Sequence, residues 1–315
     1  MNAFQVIHPG VHTAVQDLGR PGFMKYGTPA SGVADRFSAR AANWLAGNPE
    51  NAAVLEVTLY RLELLALADV SIAVTGADLT PAVDNRPLPM WETVRVRKGE
   101  RFLFRGRKKG LRAYVAVEGG FEAPVFLGSR SVFVRGLMGK ALEAGEVLAV
   151  AKPRDASPLK RKLPGRMIPP FTRDPLRVVL GPQDDRFTAE GIETFLSSSY
   201  RVTPQSDRMG YRLDGPRIAH RAGADIISEP IARGAIQVPG DGLPIILLWD
   251  AQVSGGYTKI ASVISADLDR LAQVMPGESL SFRRTSLEEA HAALREKEKA
   301  EEAARLAVLG DARTP

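Results

Sequence analysis

The chain has 315 residues, 44% of them hydrophobic, enough apolar material for two cores of ordinary size. It contains no cysteine, which excludes a disulfide framework, a thiolate metal site, an iron–sulfur cluster and a cysteine nucleophile. A formal net charge of +6 draws anionic ligands or acidic partners, so the basic stretches need a place in the fold before they are given a role.

The N-terminus, beginning Met1-Asn2-Ala3-Phe4-Gln5, has neither a basic nor an apolar leader segment. A secretory signal is therefore not expected. No uncharged apolar run reaches the roughly 18 to 20 residues of a membrane helix. The expected location is cytoplasmic, with no membrane partner.

The first dense polar stretch runs from Gly10 through Gln16, Asp17, Gly19, Arg20 and Gly22 to Gly32 and Asp35. Gln16, Asp17 and Arg20 are candidates to hydrogen-bond a carboxamide or carboxylate, with glycines that let backbone approach a ligand. The alternative is a turn held by an Asp17–Arg20 pair. Over residues 34–45, Ala34, Phe37, Ala41, Trp44 and Leu45 recur at helical spacing, and Gly47-Asn48-Pro49 stops the segment. Asn43 on that apolar helix needs either a ligand or backbone groups to bridge, since an unsatisfied buried amide costs about 1 to 3 kcal/mol. Glu56 follows in a probable strand.

Residues 69–75 and 111–117 read as strands. Between them lies the most basic run, Arg95 to Lys109, in which Val94, Val96, Phe102 and Phe104 interleave with the charges. That spacing predicts strands with one face in the core and a solvated basic face, and nucleic-acid binding is not expected. The stretch 151–173 carries five prolines and no sustained apolar period, which predicts a linker. Strands are expected at 176–180 and 243–248, and short helices at 184–196 and 267–274. Residues 286–309 should form a solvated terminal helix, opened by Ser286 as N-cap with Glu289 three residues on. Thr75-Gly76-Ala77-Asp78 is echoed by Gly181-Pro182-Gln183-Asp184, a short hint of internal duplication.

The richest polar region lies in the second half. Arg208, Tyr211, Gln237, Asp250, Gln252, Tyr257 and Lys259 supply cation, phenol, amide and carboxylate groups among glycines. This inventory suits a small, polar, charge-bearing substrate; a network of salt bridges and glycine turns is the alternative. His8 and His12 have metal-like spacing, but Pro9-Gly10 breaks any helix that would align them, so no metal site is expected. His220 and His291 are isolated, and phosphate-cradling glycine loops are absent.

Several separated motifs occur in an order that resembles the allophanate hydrolase subunit 2, or biotin-dependent carboxyltransferase-like, family, which includes the C subunit of 5-oxoprolinase. They are Thr13-Ala14-Val15-Gln16-Asp17-Leu18-Gly19-Arg20, Ala42-Asn43-Trp44-Leu45-Ala46-Gly47-Asn48, Leu55-Glu56, Tyr114 to Gly120 and Leu127-Gly128-Ser129-Arg130-Ser131. The set continues with Ser206 to Leu213, Gly234 to Pro239 and Gly255-Gly256-Tyr257. The family pattern reads Gln-Thr-Thr-Gly-Gly-Tyr-Pro where this chain has Val253, Ser254 and Thr258 in the Thr, Thr and Pro positions.

The resemblance implies a mainly β fold of two cyclophilin-like β-barrel subdomains with a few short helices and a C-terminal helix. Boundaries are placed at residues 1–155 for the first subdomain, 156–173 for the linker, 174–285 for the second and 286–315 for the helical tail. It implies a subunit of an ATP-dependent 5-oxoprolinase, inactive alone, that opens 5-oxo-L-proline to L-glutamate. The implied partners are the 5-oxoprolinase subunits A and B, the latter being allophanate hydrolase subunit 1-like, and ATP is held in the assembled complex. In the alternative reading, the chain transfers carboxylate from carboxybiotin on another chain to urea or another small amide. No Ala-Met-Lys-Met carrier sequence is present, Met24-Lys25 being followed by Tyr26. A third reading is a regulatory binding protein that antagonises a kinase inhibitor.

Within the first reading, Asp17, Asn43, Glu56, Arg208, Asp250 and Lys259 are the expected catalytic group. Gln16, Arg20, Tyr211, Gln237, Gln252 and Tyr257 are the expected substrate contacts. Arg208 and Lys259 would offset oxyanion or phosphate charge, and the carboxylates would move protons or hold the cations.

Overall fold

Strand residues 70–78 are buried along almost their whole length, so both faces of that strand must meet protein. The computed structural model, which describes residues 1–151 and 160–310, shows how. The chain divides into two compact units, one formed by Met1–Arg20, Ser31–Phe171 and Lys299–Pro315, the other by Pro21–Ala30 and Thr172–Glu298.

Strands of the first unit are β1 (Asn2–Pro9), β2 (His12–Gln16), β3 (Val54–Thr58), β4 (Leu62–Ala66), β5 (Val70–Asp78) and β6 (Pro81–Val83). They are followed by β7 (Arg86–Pro87), β8 (Thr93–Val96), β9 (Arg101–Phe104), β10 (Lys109–Val117) and β11 (Val147–Ala149). Two sheets form, in the orders β11-β1-β4-β9-β6-β7 and β2-β3-β10-β5-β8. Side chains alternate across a strand. Ala113, Val115 and Val117 of β10 accordingly enter the core with Ile72, Val74 and Phe102, while Tyr114 and Ala116 face helix α1 (Arg36–Leu45) on the other side.

Helix α1 begins where Asp35 accepts a bond from the Ser38 N–H at 2.9 Å, an N-cap worth about 1 kcal/mol. Its other face, with Phe37, Ala41, Trp44 and Leu45, packs against Trp91, Leu163, Ala304 and Val308. Truncating Trp44, which is fully buried, would cost about 3–5 kcal/mol. The basic run behaves as its spacing predicts through β8 and β9: Val96, Phe102 and Phe104 are buried, while Arg95 and Arg101 reach Asp69 and Glu63 at 3.0 and 2.7 Å.

The second unit contains β12 (Leu176–Leu180), β13 (Ser199–Val202), β14 (Gly210–Asp214), β15 (Asp225–Pro230) and β16 (Ala235–Gln237). It continues with β17 (Ile245–Leu247), β18 (Ser254–Tyr257), β19 (Lys259–Val263) and β20 (Ser279–Arg284). Seven of these close into a barrel in the order β12-β19-β16-β17-β14-β13-β20, and β15 pairs with β18 as a separate ribbon. Short helices α2 (Ala189–Ser197) and α3 (Leu268–Leu271) lie in this unit, with Phe195 of α2 stacked on Phe282 at 4.5 Å. The protein is mainly β with few helices, as expected.

Three local expectations change. Of the expected linker, residues 152–159 lie outside the described residues, but 160–171 pack on the first unit. There the Arg161 carbonyl accepts from Thr93 N–H, Leu163 N–H donates to Trp91, and Leu163 is buried. Backbone pairing needs no side-chain period, which is why composition read this stretch as loose. Helix α2 starts at Ala189, capped by Thr188, not at 184. Helix α4 (Leu287–Leu309) has the expected capping box, with Ser286 N–H on Glu289 at 3.0 Å and Glu289 N–H on Ser286 at 3.1 Å. It is not solvated all round, because Ala304 and Val308 are buried. No helix among the described residues is long and apolar enough to cross a membrane.

Thr80 and Trp91 hold φ of +52° and +63°, a left-handed region that β-branched and bulky side chains avoid at about 1–3 kcal/mol each. Hydrogen bonds fix both. Thr80 N–H donates to Asp78 and its hydroxyl to Gly106, while Trp91 N–H donates to Val74.

Candidate functional site

In the first unit the polar candidates are held by the fold itself. Asp17 accepts from the Ser129 and Ser131 hydroxyls and the Arg130 N–H, each at 2.6 Å, and from Gly19 N–H at 2.8 Å. Arg20, 1% exposed, donates to the carbonyls of Phe126 and Ser131. Gln16 donates to the Val132 carbonyl at 3.0 Å. Together these three fasten the loop 126–132 to the end of β2.

Asn43 bridges backbone groups: its amide donates to the Ala52 and Glu50 carbonyls at 2.8 and 3.2 Å, and its oxygen accepts from Asn48 at 3.0 Å. Glu56, 2% exposed, accepts from Ala34 N–H at 2.7 Å and the Tyr114 hydroxyl at 2.9 Å, with Arg112 Nε 3.7 Å away. Burial, reinforced by the negative charges of Glu56 and Asp35, pushes the Tyr114 phenol well above its ordinary range. These groups anchor the start of α1 to the sheet.

The second unit differs. Arg208 grips Asp250 through Nε at 2.7 Å and Nη2 at 3.3 Å, both side chains nearly buried. A two-point pair of this kind fixes the loop after β17 as well as the guanidinium plane. Tyr211 is committed elsewhere, its hydroxyl donating to Val274 at 3.0 Å.

Lys259 opens β19, and Gln237 ends β16 directly opposite it. A bulge between Ile236 and Gln237 shifts the register there, and paired residues on adjacent strands share a face. Lys259, 5% exposed, places its ammonium 2.5 Å from Glu229 Oε1 on β15. Gln183 ties the group together: its amide donates to Glu229 at 2.8 Å and its oxygen accepts the Lys259 N–H at 3.1 Å. The Lys259 ammonium first, and the Gln183 amide second, hold the Glu229 carboxyl below its usual range.

Gln237 is 2% exposed, and its Nε2 has no hydrogen-bond acceptor among the described residues. Gly255 lies beside it and leaves no room for a side chain, which would begin 2.7 Å from Ile231 Cδ1, 2.8 Å from Gln237 Nε2 and 3.6 Å from Gln252 Nε2. Two carboxamide nitrogens thus lie beside a residue with no side chain, with Lys259 on the strand opposite Gln237, and the buried Gln237 N–H groups are donors suited to a carbonyl or carboxylate oxygen. Tyr257 is 42% exposed on β18.

Thr258, in the position of the family's proline, donates its N–H to Ala224 and shares its hydroxyl with His220 at 3.1 Å. A proline there would lose the first of these bonds. Sequence reasoning missed Gln183 and Glu229 as site residues. The glycine-rich echo around Gly181 pointed toward Gln183; Glu229 sits in an ordinary exposed strand.

The fold of this chain is shared with known proteins. Residues 26–284 match the carboxyltransferase domain, subdomain A and B, and the chain belongs to that family. It is 35% identical over 294 residues to the C subunit of 5-oxoprolinase from Escherichia coli, covering 91% of this chain and 92% of that protein. Identity to the corresponding C subunit of 5-oxoprolinase from Haemophilus influenzae is 36% over 280 residues, with 88% and 89% covered. The crystal structure of the K. lactis urea amidolyase superposes with a TM-score of 0.89 at 30% identity over 96% of this chain. The chain spans 20% of that larger protein.

Proposed function

We propose that this chain is a subunit of an ATP-dependent 5-oxoprolinase, opening 5-oxo-L-proline to L-glutamate with partner subunits, and that Lys259, Gln237 and Gln252 receive the substrate. The observation that carries this reading is the buried, unpartnered Gln237 amide beside Lys259 and Gly255, in a chain that matches the C subunit of 5-oxoprolinase along nearly its whole length. A lactam carbonyl is a poor electrophile. As water adds, negative charge grows on the lactam oxygen, and the Lys259 ammonium with the Gln237 N–H groups stabilises it. Glu229 and Gln183 hold that ammonium in place, and the Arg208–Asp250 pair fixes the loop that carries Gln252. ATP is supplied as co-substrate in the assembled complex.

The likeness to urea amidolyase favours a second reading, carboxyl transfer to a small amide from biotin carried on another chain. Both reactions use a planar amide. The two are separated by measuring 5-oxoproline-dependent ATP hydrolysis with this chain, with its partners, and with all three together.

Gln237→Leu makes the test specific. Removing an unsatisfied buried donor should leave stability unchanged or raise it by about 1 kcal/mol, while KM rises on the order of tenfold or more. Turnover and KM that stay at wild-type values in Gln237→Leu would overturn the assignment. A complete mixture of folded subunits that is silent on 5-oxoproline would remove the oxoprolinase reading.

A further inference from the structure

Away from the Lys259 group, the first unit contains a cavity of about 490 Å³ whose lining includes Thr80, Trp91, Arg105, Lys108, Lys109 and Phe171. We propose that this cavity binds a small organic anion in which a flat apolar body carries a carboxylate or phosphate group. The proposal goes beyond the oxoprolinase reading and does not rest on it.

Charge is the first argument. The basic run of the sequence divides in the fold: Arg95 and Arg101 are paired with carboxylates along their strands, whereas Arg105, Lys108 and Lys109 come to the cavity. Among the described residues of the lining, Asp78 alone opposes them, 3.7 Å from Lys108. Arg105 donates to the Asp84 carbonyl at 2.8 Å and to Asn85 Oδ1 at 3.4 Å, both neutral acceptors. Lys109 lies over the Phe171 ring at 5.2 Å. Three cations facing one carboxylate leave positive charge that an anion would balance.

Shape and surface chemistry are the second. The remaining lining is largely apolar and aromatic, with Leu88, Trp91 and Phe171 among it. The volume suits one small molecule of mixed character. Strain is the third. Thr80 and Trp91, the β-branched and the bulky residue held at positive φ, both border this cavity, and backbone strain of this kind concentrates at ligand sites. Segment 160–171, which composition assigned to a linker, supplies Ile168 and Phe171 to the same wall, so its packing completes the cavity.

Calorimetric titration of the full chain with two matched pairs of probes tests the proposal: indole-3-acetate against its amide, and adenosine 5′-monophosphate against adenosine. One anion is expected to bind with Kd below about 1 mM and at least about tenfold more tightly than its neutral counterpart. The pair that responds distinguishes carboxylate from phosphate. The Lys108→Gln/Lys109→Gln variant, altered at the cavity's cationic rim, should lose at least about tenfold in affinity for that anion. The proposal is overturned if none of the four probes binds below about 1 mM, if anion and neutral partner bind alike, or if the double variant binds as wild type.

Discussion

Glu56→Ala separates a structural carboxylate from a catalytic one. The carboxylate accepts from Ala34 N–H and the Tyr114 hydroxyl and faces the Arg112 guanidinium, and both side chains of that ion pair are 4% exposed or less. Removing one member of a buried ion pair costs about 3–5 kcal/mol, a figure that already contains the stranded donors. Domains of this kind are commonly stable by about 5–15 kcal/mol, so the variant should fold with a markedly lower urea midpoint. Trp44 and Trp91 belong to the first unit and Trp249 to the second, so fluorescence in a Trp249→Phe background reports the first unit alone. Adding Arg112→Met should recover about 1 kcal/mol or more, because the charge left facing an empty site is then gone. An unfolding free energy within about 0.5 kcal/mol of wild type, together with lost lactam turnover, would refute the structural role and return Glu56 to the chemistry.

Three further outcomes are expected. Gly181→Ala would place a carbon 2.1 Å from the Lys259 carbonyl oxygen, forcing β12 from β19. It should destabilise by about 3 kcal/mol or more and lower turnover, since Lys259 moves with its strand. Because folded Tyr114 keeps its proton well above pH 10 while the unfolded phenol ionises near 10, stability should fall as pH rises beyond about 10. Tyr114 contributes up to about 1.4 kcal/mol per pH unit, and Tyr200, whose phenol burial pushes up to about 12, contributes a similar slope. Tyr114→Phe should therefore be shallower by the first amount, as urea midpoints between about pH 10 and 11 measure. Ser286→Ala removes half of the capping box on α4 and should cost about 1 kcal/mol, read as a lower thermal midpoint.

Much of the fold was legible because local rules govern it. The hydrophobic spacing at residues 37–45 marked α1, the alternation of Val96 with Arg95 and Phe102 with Arg101 marked half-buried strands, and Ser286 with Glu289 marked the start of α4. Each signal lies within a few residues of what it specifies. The motif pattern also drew attention to Gln237, Gln252 and Lys259, which the fold brings near one another, and to Asp17, Asn43 and Glu56, which it uses to fasten loops and strands.

The sequence by itself determined a cysteine-free, mainly β chain with two apolar halves and a short roster of polar residues in glycine-rich stretches. Tertiary structure decided what each of those residues faces. Glu229 becomes the partner of Lys259 because β15 pairs with β18 and brings its side chain back across thirty positions of chain, 229 to 259. Gln237 faces Lys259 through a register set by one bulge, and a shift of one residue would turn it to the other side of the sheet. The division of the basic run between paired strand faces and the rim of a cavity likewise depends on which carboxylates neighbouring strands deliver. Such pairings join residues remote in sequence, and side-chain periodicity specifies the face of a strand without naming the neighbour across it.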